Sequence, residues 1–103
     1  MVVKVTPITD AELLTAVKHS LNISGEHFDE TLKHVINDVK GYLESAGVLA
    51  EIIGSNVAIG CISRGVADLW NYGNGDTKLS EYFYQRAAQM RLMTIDENKG
   101  DGQ

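Results

Sequence analysis

VADLWNYGNGDTKLSEYFYQRAAQMRLM, residues 66–93, decides the fold. It reads as helix, tight polar loop, helix. Val66, Leu69 and Trp70 recur at helical spacing before the loop, and Phe83, Ala87, Met90 and Met93 recur after it. Gly73, Asn74 and Gly75 supply the positive φ angles that a sharp turn needs, and Ser80 is placed to cap the helix that follows. Its polar residues form no recognisable catalytic set. A helical hairpin with aromatics and arginines but no chemistry points to a part that fits against other parts.

Working outward, the rest of the chain is punctuated in the same way. Thr9 and Glu12 form a T-x-x-E capping box, with Ile8 and Leu13 spaced as a hydrophobic staple, so a first helix is expected over 9–21. A long second helix is expected over 24–46, capped by Ser24 and stopped at Gly47, with Phe28, Leu32, Val35, Ile36, Val39 and Leu43 as its apolar stripe. Val48 to Gly54 reads as an irregular connector. A third helix is expected over 56–72 and a fourth over 80–94. Ala58, Cys61 and Gly65 make a small-residue strip on the third. Glycine inside a helix costs about 1 kcal/mol against alanine, so Gly60 and Gly65 mark either close backbone approach or tolerated weakness. Met1 to Thr6 alternates like a strand but is too short to assign. The fold class expected is all-α: a small bundle of about four helices, residues 1–95, with a C-terminal helical hairpin. Residues 96–103, DENKGDGQ, lack apolar side chains and are expected to be a flexible tail.

The bulk numbers narrow the function. The net charge is −5, and the Lys and Arg residues are scattered from Lys4 to Lys99. Tight nucleic-acid binding needs several cations on one surface, so it is not expected. Cys61 is the sole cysteine, which forbids an internal disulfide and fits a reducing compartment. No stretch reads as a signal peptide or a membrane span.

Three constellations have a chemical and a plain interpretation. His27, Glu30, His34 and Asp38 share a face of the second helix and are metal-ligand types. The H-E-x-x-H pattern is absent, and a solvated face opposite the apolar stripe accounts for them. Gly73 to Lys78 resembles a phosphate loop only loosely, because neither G-x-x-x-x-G-K-S/T nor a preceding strand is present. Cys61 would need a base to act as a nucleophile and reads better as a buried thiol. At the hairpin, Trp70, Tyr72, Tyr82 and Tyr84 cluster, with Trp70 expected to pack into the core. Tyr84, Arg86, Gln89 and Arg91 lie beside or away from the stripe, and tyrosine and arginine are favoured at interfaces.

The order of features in residues 66–92 resembles the tailed-phage head–tail connector family, the small head-completion adaptors that sit under the portal. The matching features are Asp68-Leu69-Trp70, the loop Tyr72-Gly73-Asn74-Gly75-Asp76, Leu79-Ser80, an aromatic, Gln85-Arg86, and an ending from Gln89 to Leu92. Ala87-Ala88 departs from it, standing where bulkier aliphatics are usual. The resemblance implies an all-α virion protein without cofactor, metal or reaction. It implies a ring of about twelve copies on the portal protein, a DNA channel extended towards the tail, and a docking surface for stopper or other neck and tail proteins. Double-stranded DNA would pass through without specific binding, and location would be the virion neck after a period in the host cytoplasm. The partner interface expected is Trp70, Tyr72, Asp76, Tyr82, Tyr84, Gln85, Arg86, Gln89 and Arg91.

Two other functions fit parts of the chain. A small helical regulator that binds DNA or protein would need a basic recognition helix, for which Arg86 and Arg91 are thin support. A metal-dependent enzyme would need His27 and His34 to hold an ion.

Overall fold

Thr9 starts the first helix as its sequence requires. Its hydroxyl accepts the Glu12 N–H at 3.0 Å, and the Glu12 carboxylate accepts the Thr9 N–H at 2.8 Å. The computed structural model describes residues 1–70 and 78–96, and all that follows concerns these. Helix α1 (Asp10–Leu21) buries Leu13 and Val17 and ends on Asn22, whose φ of 61° lies in the left-handed region.

Helix α2 (Asp29–Ser45) is shorter than expected, with 17 residues. It does not start at Ser24. Gly25 takes a φ of +81°, which breaks helical geometry, and no side chain caps the helix at Phe28. The Lys18 ammonium joins the two helices instead. It donates to the Gly25 carbonyl and pairs with Asp29 at 2.7 Å, tying the first turn of α2 to α1. Phe28 therefore sits outside the stripe assigned to it, 38 % exposed, while Leu32, Ile36, Val39 and Leu43 are buried. The far end stops as expected. Gly47 has a φ of +97°, the Val48 N–H reaches the Leu43 carbonyl and the Gly47 N–H reaches that of Glu44. This is a Schellman cap, with its hydrophobic contact supplied by two buried residues, Leu43 and Val48.

The supposed connector contains a short helix, α3 (Ala50–Ile53), that buries Ile52 and Ile53. Ser55 is fully buried. Its hydroxyl donates to the Ile52 carbonyl at 2.8 Å and accepts from the Val57 N–H at 3.1 Å, which starts a 3-10 turn (Asn56–Ala58) leading into α4 (Ile59–Trp70). Asn56 also exchanges hydrogen bonds with the backbone of Thr6. Leu69, which recurs at helical spacing with the buried Val66, is only partly buried at the edge of the core. Helix α5 (Glu81–Arg91) begins at Ser80, whose hydroxyl accepts the Phe83 N–H at 3.2 Å, and it buries Phe83, Ala87 and Met90. Two short strands add to the expected helices. Strand β1 (Val2–Val3) runs parallel to β2 (Thr94–Ile95), so residues 94 and 95 leave the last helix and pair with the start of the chain. The Asp96 N–H donates to the Val3 carbonyl at 2.8 Å, so this first tail residue is tied to the sheet; residues 97–103 lie outside the described ones.

The two helical glycines differ. A Cβ on Gly65 would lie 2.8 Å from the Phe83 ring and 2.9 Å from Val39, so this position is where α2, α4 and α5 converge. A Cβ on Gly60 would meet nothing within 4 Å. Gly65→Ala is therefore expected to destabilise by about 1–3 kcal/mol through overpacking. Gly60→Ala is expected to stabilise by about 0.5–1 kcal/mol, because it restricts the unfolded chain and favours helix. Urea titration of both variants checks the sign; equal shifts would mean that α4 does not pack through Gly65.

Candidate functional site

The hairpin is clamped at its base by Asp68. One oxygen of its carboxylate accepts the Ser80 N–H at 2.9 Å and the other accepts Nε of Arg64 at 3.1 Å. Ser80 in turn caps α5. The Asp68 side chain is 12 % exposed and the Arg64 side chain 47 %, so the acid is held inside while the guanidinium lies over it near solvent. That guanidinium also covers the Tyr82 ring, 5.1 Å from its centroid, a cation–π contact. The entry angle of α5 is thus fixed by residues within the described helices, and Phe83 against Gly65 fixes its depth.

With Phe83, Ala87 and Met90 turned inward, the other residues of α5 divide between two sides. Tyr82, Gln85, Arg86 and Gln89 line one wall of a groove of about 450 Å³, and Val57, Gly60 and Cys61 line the other. Arg86 is half-buried, and its Nη1 donates to the Gln89 side-chain oxygen at 2.9 Å. Burial pushes the Cys61 thiol up to about 11, with the positive charge of Arg86 pulling the other way, so the thiol is neutral at pH 7. A neutral thiol is a poor nucleophile. The groove presents donors, acceptors and one positive charge.

Tyr84 lies on the opposite side. It is 42 % exposed and its ring meets that of Tyr42 edge-on at 5.5 Å, while Tyr42 also packs against Phe83. Arg91 lies alongside the cap of α2, where a Cβ at Gly47 would come within 3.2 Å of its side chain. Trp70 is at the core edge, meeting Phe28 edge-on at 5.5 Å. Phe28, Thr31, Val35, Leu69 and Trp70 line a second, apolar groove of about 430 Å³. Tyr72 and Asp76 fall outside the described residues.

The expected interface residues therefore occupy separate places. Tyr82, Gln85, Arg86 and Gln89 come together; Tyr84, Arg91 and Trp70 each have other neighbours. Arg64, Asp68, Gly60 and Tyr42 are absent from the interface expected on sequence. For Arg64 and Asp68 a signal existed, since a base and an acid four apart on a helix pair readily. Gly60 and Tyr42 carried none, because what makes them part of a surface is a neighbour distant in the chain.

His27 lies ahead of α2, not on the helical face expected to carry it with Glu30, His34 and Asp38, and is edge-on to Phe28 at 4.7 Å; His34 is exposed on the second turn of α2. Among the described residues no three His, Cys, Asp or Glu side chains converge as metal ligands. Among them, too, no helix is long and apolar enough to cross a membrane. No family model, curated protein or solved structure matches the chain.

Proposed function

We propose that this protein is a structural adaptor of the head–tail connector kind, assembling as a ring under a portal, extending its DNA channel and offering a docking surface to neck or tail proteins. The observation that carries this reading is the construction of the hairpin. Asp68 and Gly65 lock α5 in place, and the helix then offers different surfaces on its two sides, a polar groove on one and a tyrosine pair on the other. A subunit in a ring meets a different surface of its neighbour on each side and so needs two such surfaces, and heterologous contacts of that kind form a ring when the rotation between subunits closes. The order of sequence features in residues 66–92 supports the same assignment. A net charge of −5 suits a conduit, since weak repulsion of phosphate lets a duplex slide.

Light scattering on the protein alone and mixed with a portal protein from the same genome tests this. The expected result is a complex of about twelve copies on the portal, and no measurable duplex binding at about 0.15 M salt, where exposed charges are screened beyond about 8 Å. A chain that ignores the portal but binds duplex at micromolar concentration, with a steep salt slope, would be a regulator instead.

A further inference from the structure

We propose that the groove between α4 and α5 receives a carboxylate side chain of a protein partner, with Arg86 as its cationic centre. The inference deepens the interface assigned above and rests on it only in taking the partner to be a protein.

Arg86 is the reason. The ion pairs among the described residues use Lys18, Lys33, Lys40 and Arg64 as cations, and Arg86 makes none of them. Its guanidinium donates to the neutral amide oxygen of Gln89. A guanidinium has five N–H donors in a fixed fork, matched to the two oxygens of a carboxylate. Half-burying that charge beside a neutral amide leaves its desolvation largely uncompensated, and an anion entering the groove would offset it. The surroundings suit an acidic side chain. Gln85, Gln89 and the Tyr82 phenol supply further hydrogen-bonding groups, while Val57 and Cys61 offer an apolar surface for methylenes. The Cys61 thiol is neutral and does not repel an anion. Gly60 leaves the space beside it open, since a Cβ there would touch nothing within 4 Å. The volume, about 450 Å³, is within the usual range for a ligand site, about 300–1,000 Å³.

The same features favour a protein carboxylate over a nucleic-acid backbone. A phosphate backbone is held by several cations spread along it. Here one guanidinium faces the groove, Arg64 beside it is already paired with Asp68, and the whole chain is acidic.

The test is a titration of the isotope-labelled protein, following the Arg86 Nε–H and the Gln85 and Gln89 side-chain amides by NMR. The probes are a capped pentapeptide of alternating alanine and glutamate, its glutamine counterpart, inorganic phosphate, and a short DNA duplex. The glutamate peptide is expected to shift these signals saturably and to bind at least about tenfold more tightly than the glutamine peptide, a difference of about 1.4 kcal/mol. Arg86→Gln should abolish the shifts. Gly60→Leu keeps the guanidinium, favours helix and fills the groove, so it should abolish them too. Absence of saturable shifts, equal affinity for both peptides, or unchanged binding in Gly60→Leu would overturn the proposal, as would tighter saturation by phosphate or duplex. Ring formation on a portal plays no part in this titration, so the two readings fail separately.

Discussion

Replacing Phe83 with alanine is expected to lower the unfolding free energy by about 3–5 kcal/mol, the range for deleting a buried aromatic ring. Phe83 is fully buried, its ring lies against the backbone of Gly65, and Tyr42 packs on it at 5.5 Å. The loss includes the transfer free energy of the ring and a term for the hole left behind. That hole would be bounded by a glycine, which has no side chain to swing into it, so the upper part of the range applies. Domains of this size are stable by about 5–15 kcal/mol, so such a loss consumes much of the total. Denaturant unfolding followed by circular dichroism measures it. Tyr84→Ala, one residue on and exposed, is the control and should cost far less. The pair of α4 and α5 also predicts coupling. Gly65→Ala clashes with the Phe83 ring in the native chain, so its cost should fall once the ring is gone, with an interaction energy of about 0.5–3 kcal/mol. A loss below about 1 kcal/mol for Phe83→Ala, outside the range for buried rings, would mean that α5 is not anchored through this residue.

The second large effect belongs to the stripe of α2. Leu32→Ala and Ile36→Ala should each cost about 2–5 kcal/mol. The two should not be equal. Leu32 is completely buried, whereas Ile36 is 5 % exposed and forms part of the wall of an open groove of about 360 Å³ shared with Leu13, Leu14 and Lys40. Truncating Ile36 enlarges a space that solvent and neighbouring side chains already reach, so the gap relaxes and the cost falls in the lower half of the range. Truncating Leu32 leaves a closed void and belongs in the upper half. His34→Ala, on the exposed face of the same helix, should stay within about 0.5 kcal/mol. A loss under about 0.5 kcal/mol at Ile36, the size of an ordinary surface change, would remove that face of α2 from the core.

Local chemistry makes several elements legible in the chain itself. The Thr9–Glu12 box, the Gly47 stop and the Ser80 cap each involve residues within a few positions of one another, and each forms as expected. The inward stripe of α5 is legible for the same reason. The start of α2 is not, because Ser24 has the right type for a cap while Gly25 beside it takes a left-handed φ and Lys18, from another helix, secures the turn. Helix α3 is too short to show a period, so two core isoleucines pass for connector. Of the candidate interface, the residue types on α5 can be read in the chain. Their division between a groove and a tyrosine pair cannot, because α4 supplies one wall and Tyr42 of α2 the other neighbour.

By itself the sequence determined the helical class, most caps, the inward face of the last helix and the acidic character. These follow from hydrogen bonds and periodicities that span a turn or two of helix. Only the tertiary structure decided that Gly65 is a contact and Gly60 an opening, since both are glycines in the same helix and differ only in what lies across from them. It also decided that Asp68 clamps the hairpin through Ser80, 12 positions away, and that β1 meets β2 from the far end of the described chain. Such contacts cost loop-closure entropy and form only where the packed core holds both partners in place.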